Sequence, residues 1–216
     1  GVPVEGLLNT HLEDYEDHYR CASADTDRLF GSILDALEEV GILDDGVVVF
    51  TSDHGEGFGE HGTYEHGQGT WGEELDIPLI LHAPGLIPPS DDSSPATLVD
   101  LPKTLTKLAG ISAAPVWTGR DLSRESDFES SDPLIILSYQ SKKHGGSKSK
   151  GILGHADLAV EWQGTKWILD YRDLTPTSML SEVSVLHVYD KVADPRETHD
   201  LHGEDGEPEL QAKVLK

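Results

Sequence analysis

The sequence predicts an α/β protein, in which a parallel sheet with flanking helices is followed by a small antiparallel sheet subdomain with a helix. Apolar residues recur at helical spacing across 10–40, which predicts the first helix. The unbroken apolar run VVVF at 47–50 is typical of a strand buried on both faces of a parallel sheet. Beyond residue 118 several short apolar runs separated by turn residues predict the antiparallel part.

The long helix over 10–40 is followed by Gly41, which stands where a left-handed glycine ends many helices. A short loop then leads into the strand VVVFTSD at 47–53, so helix, loop and strand form the second half of a βαβ unit. We expect one apolar stripe of this helix to be buried, and it consists of Leu29, Phe30, Ile33, Leu34, Leu37 and Val40.

Two further elements extend the predicted sheet. The run PLILHAPG at 78–85 predicts the next buried strand, and the apolar spacing at 98–111 predicts a helix that Gly110 closes. Residues 42–117 are therefore expected to complete a parallel sheet, and residues 1–117 are assigned to one α/β domain.

The composition changes after this domain. Residues 118–133 are polar and rich in turn formers, which predicts a linker. Residues 134–216 are assigned to a small antiparallel subdomain. The turn Gln163-Gly164-Thr165 is expected to join its middle strands into a hairpin, and a short helix is expected at 206–216.

The charge balance argues against nucleic acid as a partner. Sixteen Lys and Arg face forty Asp and Glu, a formal net charge of −24, so polyphosphate is repelled at long range. The acidic residues are dispersed along the chain, which favours a surface adapted to concentrated salt over an acidic face for a cationic partner. A high-salt organism is the expected source, and a cytoplasmic or an extracellular location stays open.

Cysteine count and hydropathy set two further limits. The single Cys21 allows no internal disulfide and no paired-cysteine metal site. No run reaches the roughly eighteen apolar residues that a transmembrane helix needs. The chain starts at Gly1, so the sequence says little about a signal peptide.

The stretch FTSDHGEGFGEHGTYEHG at 50–67 concentrates histidines, acids and glycines directly after the strand. Functional groups collect at the carboxyl ends of strands in open parallel sheets, and Asp53 and His54 stand at such an end. A carboxylate beside an imidazole can bind one divalent cation, and Gly55 allows a sharp exit. From spacing alone, a surface turn with a capping aspartate is an equal alternative.

The context resembles the sulfatases of the alkaline phosphatase superfamily. TSDHGEGFGEHG is similar to their C-terminal metal-binding signature, and EELDIPLILHAPG to the strand that follows it. LVDLPKTLTKLAGI resembles the family's D-L-x-P-T-L-x-x-L-A-G helix, and VYDKVADPRETHDL its L-Y-D-L-x-x-D-P-x-E-x-x-N-L ending. Four blocks in the family's order cover most of residues 26–201, which implies a sulfatase-like fold for the chain.

The resemblance implies roles for three residues. Asp53 and His54 match the family's metal-ligand positions, with Ca²⁺ the expected ion and Mg²⁺ or Mn²⁺ the alternatives. Many sulfatases place a lysine that contacts the sulfate ester thirteen positions after that aspartate, and here the position holds His66. A histidine there can bind an ester oxygen, protonate a leaving group or ligate a second metal, or it is an exposed loop residue. His61 is expected to be structural.

The family's nucleophile motif, C/S-x-P/A-x-R, is not found in this chain. Cys21 stands in RCASAD, inside a predicted helix, and lacks the Pro and Arg of that motif. The resemblance therefore implies the C-terminal part of a metal-dependent sulfatase, inactive alone, which needs an N-terminal half and acts on a sulfated sugar or an aryl sulfate. Two alternatives remain: a phosphodiesterase or phosphoglycerol transferase of the same superfamily, and an inactive sulfatase-fold domain.

Overall fold

A computed structural model of the protein describes residues 4–67, 69–91, 94–123, 134–139, 156–171, 184–205 and 208. These residues group into two compact units. The first contains the described residues up to Asp53 and those from Pro78 to 123, and the second contains His54–Ile77 and the described residues from 134 onward. The chain therefore changes unit between Asp53 and His54.

The described residues form four α-helices and eight strands. The helices are α1 (Val4–Glu39), α2 (Ile42–Asp45), α3 (Gly72–Leu75) and α4 (Leu101–Leu108), the last preceded by a 3₁₀ turn at Leu98–Asp100. The strands are β1 (Val48–Thr51), β2 (Gly57–Phe58), β3 (Tyr64–Glu65), β4 (Leu79–His82), β5 (Leu134–Tyr139), β6 (Ala156–Trp162), β7 (Thr165–Tyr171) and β8 (Ser184–Asp190).

Helix α1 confirms the predicted first helix but begins at Val4 rather than at residue 10. Gly41 has a φ of 78°, and its N–H donates to the carbonyl of Glu38 over 2.9 Å. The predicted glycine stop is thus confirmed, because glycine adopts this left-handed conformation without steric cost and it turns the following chain out of the helix. None of the described helices, α1 included, is long and apolar enough to cross a membrane.

The apolar stripe of α1 is only partly buried. Its Phe30 ring contacts Phe50 of β1, with centroids 4.6 Å apart. Three other members of the stripe are between 47% and 68% exposed: Leu29, Ile33 and Val40. The expectation of a buried stripe is therefore wrong for these three residues, because nothing among the described residues covers that side of the helix.

Strand β1 pairs with β4 in antiparallel orientation, with Val48 opposite His82 and Thr51 opposite Leu79. This pairing differs from the parallel arrangement that the sequence predicts for the region. A parallel neighbour needs a crossover of a dozen or more residues, usually a helix. The only helix described between these two strands is the four-residue α3, so the chain returns to β4 in the opposite direction.

Helix α4 is anchored by the buried carboxylate of Asp100. That carboxylate accepts the N–H of Thr97 over 2.9 Å and the N–H of Arg120 over 2.7 Å, and it pairs with the Arg120 guanidinium at 2.7 Å. Burial raises the pKa of Asp100, but the hydrogen bonds and charge of Arg120 outweigh it and leave this pKa lowered. Gly110, with a φ of 69°, ends the helix as predicted.

The second unit contains an antiparallel sheet in the order β5-β6-β7-β8. Strands β6 and β7 form the predicted hairpin, with Trp162 opposite Thr165 across a turn at Gln163 and Gly164. Both turn residues have positive φ, 50° and 80°, which matches the right-handed twist of the strands. The core of this sheet consists of Leu158, Val160, Trp167, Leu169 and Val188.

Some predictions lie outside the described residues. The predicted helix at 206–216 is described only at Pro208, whose carbonyl accepts the indole N–H of Trp167 over 3.1 Å. Most of the predicted linker at 118–133 is also outside them. The domain bounds 1–117, 118–133 and 134–216 remain a prediction, and His54–Ile77 groups with the second unit.

Candidate active site

Asp53 and His54 lie just beyond β1, at its carboxyl end, and both are exposed. The Nδ1 of His54 lies 2.8 Å from the carbonyl oxygen of Gly55, so Nδ1 carries the proton in the neutral ring. The lone pair then belongs to Nε2, a form of imidazole that binds metals. A carboxylate and this imidazole fit two ligand positions of a divalent cation, although no group of three or more ligands occurs among the described residues.

His66 lies against His54. The two rings stack with centroids 4.2 Å apart and an interplanar angle of 28°. The Nδ1 of His66 is 3.3 Å from both carboxylate oxygens of Glu56, and 54% of the His66 side chain is exposed. The chain thus doubles back and places His66 against His54, the residue that follows Asp53. The exposed ring of His66 is accessible to a ligand.

Glu74, on α3, binds the backbone directly after each of the two histidines. Its backbone carbonyl accepts the N–H of Gly55 over 2.8 Å, and its side chain accepts the N–H of Gly67 over 2.5 Å. These glycines directly follow His54 and His66. No local sequence pattern marks Glu74 as part of this site, because it is a buried glutamate on a single helical turn.

Gly55 is required where it stands. A Cβ at this position would lie 2.0 Å from the carbonyl oxygen of Glu73, far inside van der Waals contact. Gly67 has a φ of 70°, a backbone conformation that residues other than glycine rarely adopt. Between these two glycines the two-residue strands β2 and β3 pair in antiparallel orientation, Gly57 opposite Glu65. The glycines of the motif therefore let the chain double back.

His61 fixes the loop rather than facing a ligand, as the sequence predicts. Its Nδ1 is 2.7 Å from a carboxylate oxygen of Glu73, and its Nε2 is 2.8 Å from the carbonyl oxygen of Glu197. The ring also stacks on Trp71 at 5.1 Å. Burial lowers the pKa of His61, but the hydrogen bonds to Glu197 and Glu73 and the charges of both glutamates outweigh it and raise this pKa above 6.5.

The loop is therefore expected to lose stability as the pH rises. A raised pKa in the folded state means that protonated His61 stabilises the fold fully below 6.5, and that this stabilisation is lost as the pH rises through the raised value. His61→Phe keeps the stacking but not the charge, and should cost about 2 kcal/mol at low pH. Thermal melts at several pH values should show this cost shrinking with pH.

The matched control is His18→Phe, since His18 is exposed on α1. It should leave the melting profile unchanged at every pH. A cost of His61→Phe that grows with pH would contradict the assignment of a charged ring.

Comparison with known proteins gives the relatives of this chain. The family model described as Sulfatase matches residues 10–111. Arylsulfatase K of Xenopus laevis is 35% identical over 100 residues, which are 46% of this chain and 18% of that protein. An N-acetylglucosamine-6-O-sulfatase of Bacteroides thetaiotaomicron is 22% identical over 214 residues, 98% of this chain and 36% of that enzyme.

A solved structure is similar in fold. It shows a protein in complex with its substrate, D-glucosamine-2-N,6-O-disulfate. The two sequences are 25% identical and the TM-score is 0.58. The match covers 82% of this chain and 34% of the other chain. The predicted α/β fold of the alkaline phosphatase type is thereby confirmed. The chain spans about a fifth to a third of the lengths of these relatives. The stacked His54–His66 pair lies within residues 10–111, the part of the chain that is similar to the sulfatases.

Proposed function

We propose that this chain supplies part of the active site of a metal-dependent sulfatase that hydrolyses sulfate esters of sugars. The observation that carries the proposal is the return of His66 to His54, directly beside Asp53, within the segment that matches the family. Support for a sugar substrate comes from the sulfated glucosamine that a protein of similar fold binds as its substrate.

Three residues perform two tasks in this proposal. Asp53 and His54 would hold a divalent cation, Ca²⁺ first and Mg²⁺ or Mn²⁺ as alternatives, and the bound cation would neutralise the ester oxygens. His66, oriented by Glu56, would give its proton to the alcohol oxygen as the sulfur–oxygen bond breaks. The sulfuryl group passes to a nucleophile that lies outside this chain.

The need for a further segment is supported by the surface of the first unit. Besides the three uncovered residues of α1, Ile80 of β4 in the same unit is 58% exposed. Exposed large apolar side chains of this kind favour cover by another protein segment. We expect the segment that carries the nucleophile to cover them, and we expect the 216-residue chain to be inactive without that segment.

The test uses the complete enzyme that contains this chain. It is offered a 6-O-sulfated glucosamine, an aryl sulfate and an activated phosphodiester under the same metal conditions. Release of sulfate from the sugar with the highest kcat/KM is expected. Preference for the phosphodiester would favour a phosphodiesterase or phosphoglycerol transferase of the same superfamily. That alternative is supported by the histidine at position 66, where many sulfatases have a lysine. Absence of turnover with all three would favour an inactive domain.

Adaptation to salt belongs to the same proposal. With a net charge of −24, self-repulsion destabilises the compact state at low ionic strength, and counterions screen it. The melting temperature of the chain should therefore rise steadily from dilute buffer to molar potassium chloride. Sucrose at matched osmolality is the uncharged control and should give a smaller rise. A flat response to salt would contradict the high-salt interpretation.

A further inference from the structure

Glu197, in the segment after β8, is the centre of a buried charged cluster. Its side chain is 0% exposed. Its Oε1 accepts hydrogen bonds from Lys166 on β7 over 2.7 Å and from Lys191 over 2.8 Å, and its Oε2 accepts the N–H of Gly72 over 3.1 Å. Burial opposes the charge, but the two lysines outweigh it, so the pKa of Glu197 is lowered and the carboxylate stays ionised.

The backbone of Glu197 makes a second contact with the histidine loop, residues 54–77. Its carbonyl oxygen accepts the Nε2–H of His61 over 2.8 Å. Glu197 has a φ of 58°, a left-handed conformation that non-glycine residues persist in only where the surroundings over-determine it. One residue thus holds the loop at His61 and at Gly72, on either side of His66.

The contacts continue from Gly72 to the histidine pair. Gly72 is the first residue of α3, so its position sets that of Glu74 two residues later. Glu74 in turn holds Gly55 and Gly67, the residues that follow the two histidines. The Glu197 carboxylate fixes the start of α3 at Gly72. It therefore also fixes the position of Glu74, which binds the glycine after each histidine.

A role for Glu197 in the sheet alone explains only part of this arrangement. Strands β7 and β8 are already joined by their own backbone ladder, and the bonds to Lys166 and Lys191 add to it. The bonds to Gly72 and His61 contribute nothing to that ladder. They connect the C-terminal segment to residues 125 and 136 positions earlier in the chain.

We infer that Glu197 is a positioning residue, which sets the stacked geometry of His54 and His66 through Gly72 and His61. The geometric part stands on the contacts of this unit. The consequence for catalysis rests on the proposed sulfatase function, in which His66 must meet an ester oxygen close to the cation held by Asp53 and His54. Misplacement by about 1 Å can cost about 10²-fold in turnover.

Two substitutions at Gly72 separate the hydrogen bond from the added bulk. Gly72→Pro removes the N–H that Glu197 accepts but suits the helix, because proline is favoured at the first helical position and Trp71 before it has an extended ψ of 164°. Gly72→Ala keeps the N–H and adds a Cβ that meets the side-chain tip of Asp76 at 2.8 Å. In both variants the added Cβ also lies 3.3 Å from Oε1 of Glu197 and from Nζ of Lys191, so this crowding is common to the two.

The readout is the nuclear Overhauser effect between the His54 and His66 rings in the 216-residue chain. It should be lost in Gly72→Pro and kept in Gly72→Ala, while the amide signals of the β6–β7 hairpin stay unchanged in both. Retention of the ring contact in Gly72→Pro would overturn the inference. Loss in both variants would do so too, since bulk rather than the hydrogen bond would then be the cause.

Turnover of the complete enzyme separates the inference from the proposed function. Gly72→Pro should lower kcat by up to about 10²-fold with a smaller change in KM, and Gly72→Ala should not. If the ring contact is lost and turnover is unaffected, Glu197 still positions the pair but His66 has no catalytic task. If the ring contact persists while turnover falls, the positioning inference is wrong and the proposed function is untouched.

Discussion

His66→Ala is expected to lower turnover of the complete enzyme by about 10²–10⁴-fold, the usual scale for a general acid, while its metal content stays intact. The reason lies in the geometry of the loop. The ring stacks on His54 at 4.2 Å, lies 3.3 Å from the Glu56 carboxylate and keeps 54% of its surface exposed, so it can reach a bound ester.

Two further variants sharpen this experiment. His199→Ala removes an exposed histidine of the C-terminal segment and should leave turnover unchanged. His66→Lys places at this position the residue that many sulfatases have, and should restore part of the turnover. Metal content is measured on each variant by elemental analysis.

The other outcomes of His66→Ala have definite meanings. Loss of metal together with activity would make His66 a ligand and would favour the two-metal phosphodiesterase alternative. Unchanged activity and unchanged metal would make it an exposed loop residue. The assignment of the site would then be limited to Asp53 and His54.

Local patterns in the sequence were enough to predict most elements of the fold. Helix α1 follows from apolar spacing and its end from Gly41, because both depend on neighbours within one turn. The β6–β7 hairpin follows from Gln163 and Gly164, since a two-residue turn fixes the register of the strands it joins. The doubling back of the chain after β1 follows from glycines such as Gly55 and Gly67.

Features that depend on distant residues could not be predicted in this way. The orientation of β1 against β4 is set by the path of the chain between them, not by the apolar composition of either strand. The exposure of Leu29 depends on which segments cover the helix, and periodicity does not contain that information. Glu74 acts through backbone groups of glycines, so neither its residue type nor its spacing marks it as part of the site. Glu197 matches the glutamate of the D-P-x-E-x-x-N-L ending, but that resemblance does not indicate its contact with Gly72.

Asp53→Ala is expected to abolish calcium binding by the complete enzyme, or to weaken it by more than about 10²-fold. Loss of a residue that only orients a metal ligand already costs 10–100-fold in affinity, and Asp53 is proposed as a ligand itself. Its carboxylate is the charged oxygen donor of the pair, and hard cations such as Ca²⁺ depend on oxygen donors. Calorimetric titration with Ca²⁺ and with Mn²⁺ measures the effect.

Asp44→Ala is the matched control, because it removes the same charge from an exposed position on α2 in the same unit. It should bind calcium as the unaltered enzyme does. In the 216-residue chain affinity should be weak for every variant, since the described residues offer no group of three ligands. Tighter binding of Mn²⁺ than of Ca²⁺ would point to His54 as the stronger determinant, because imidazole suits transition metals better than calcium. Equal calcium binding by Asp53→Ala and the unaltered enzyme would remove Asp53 from the site.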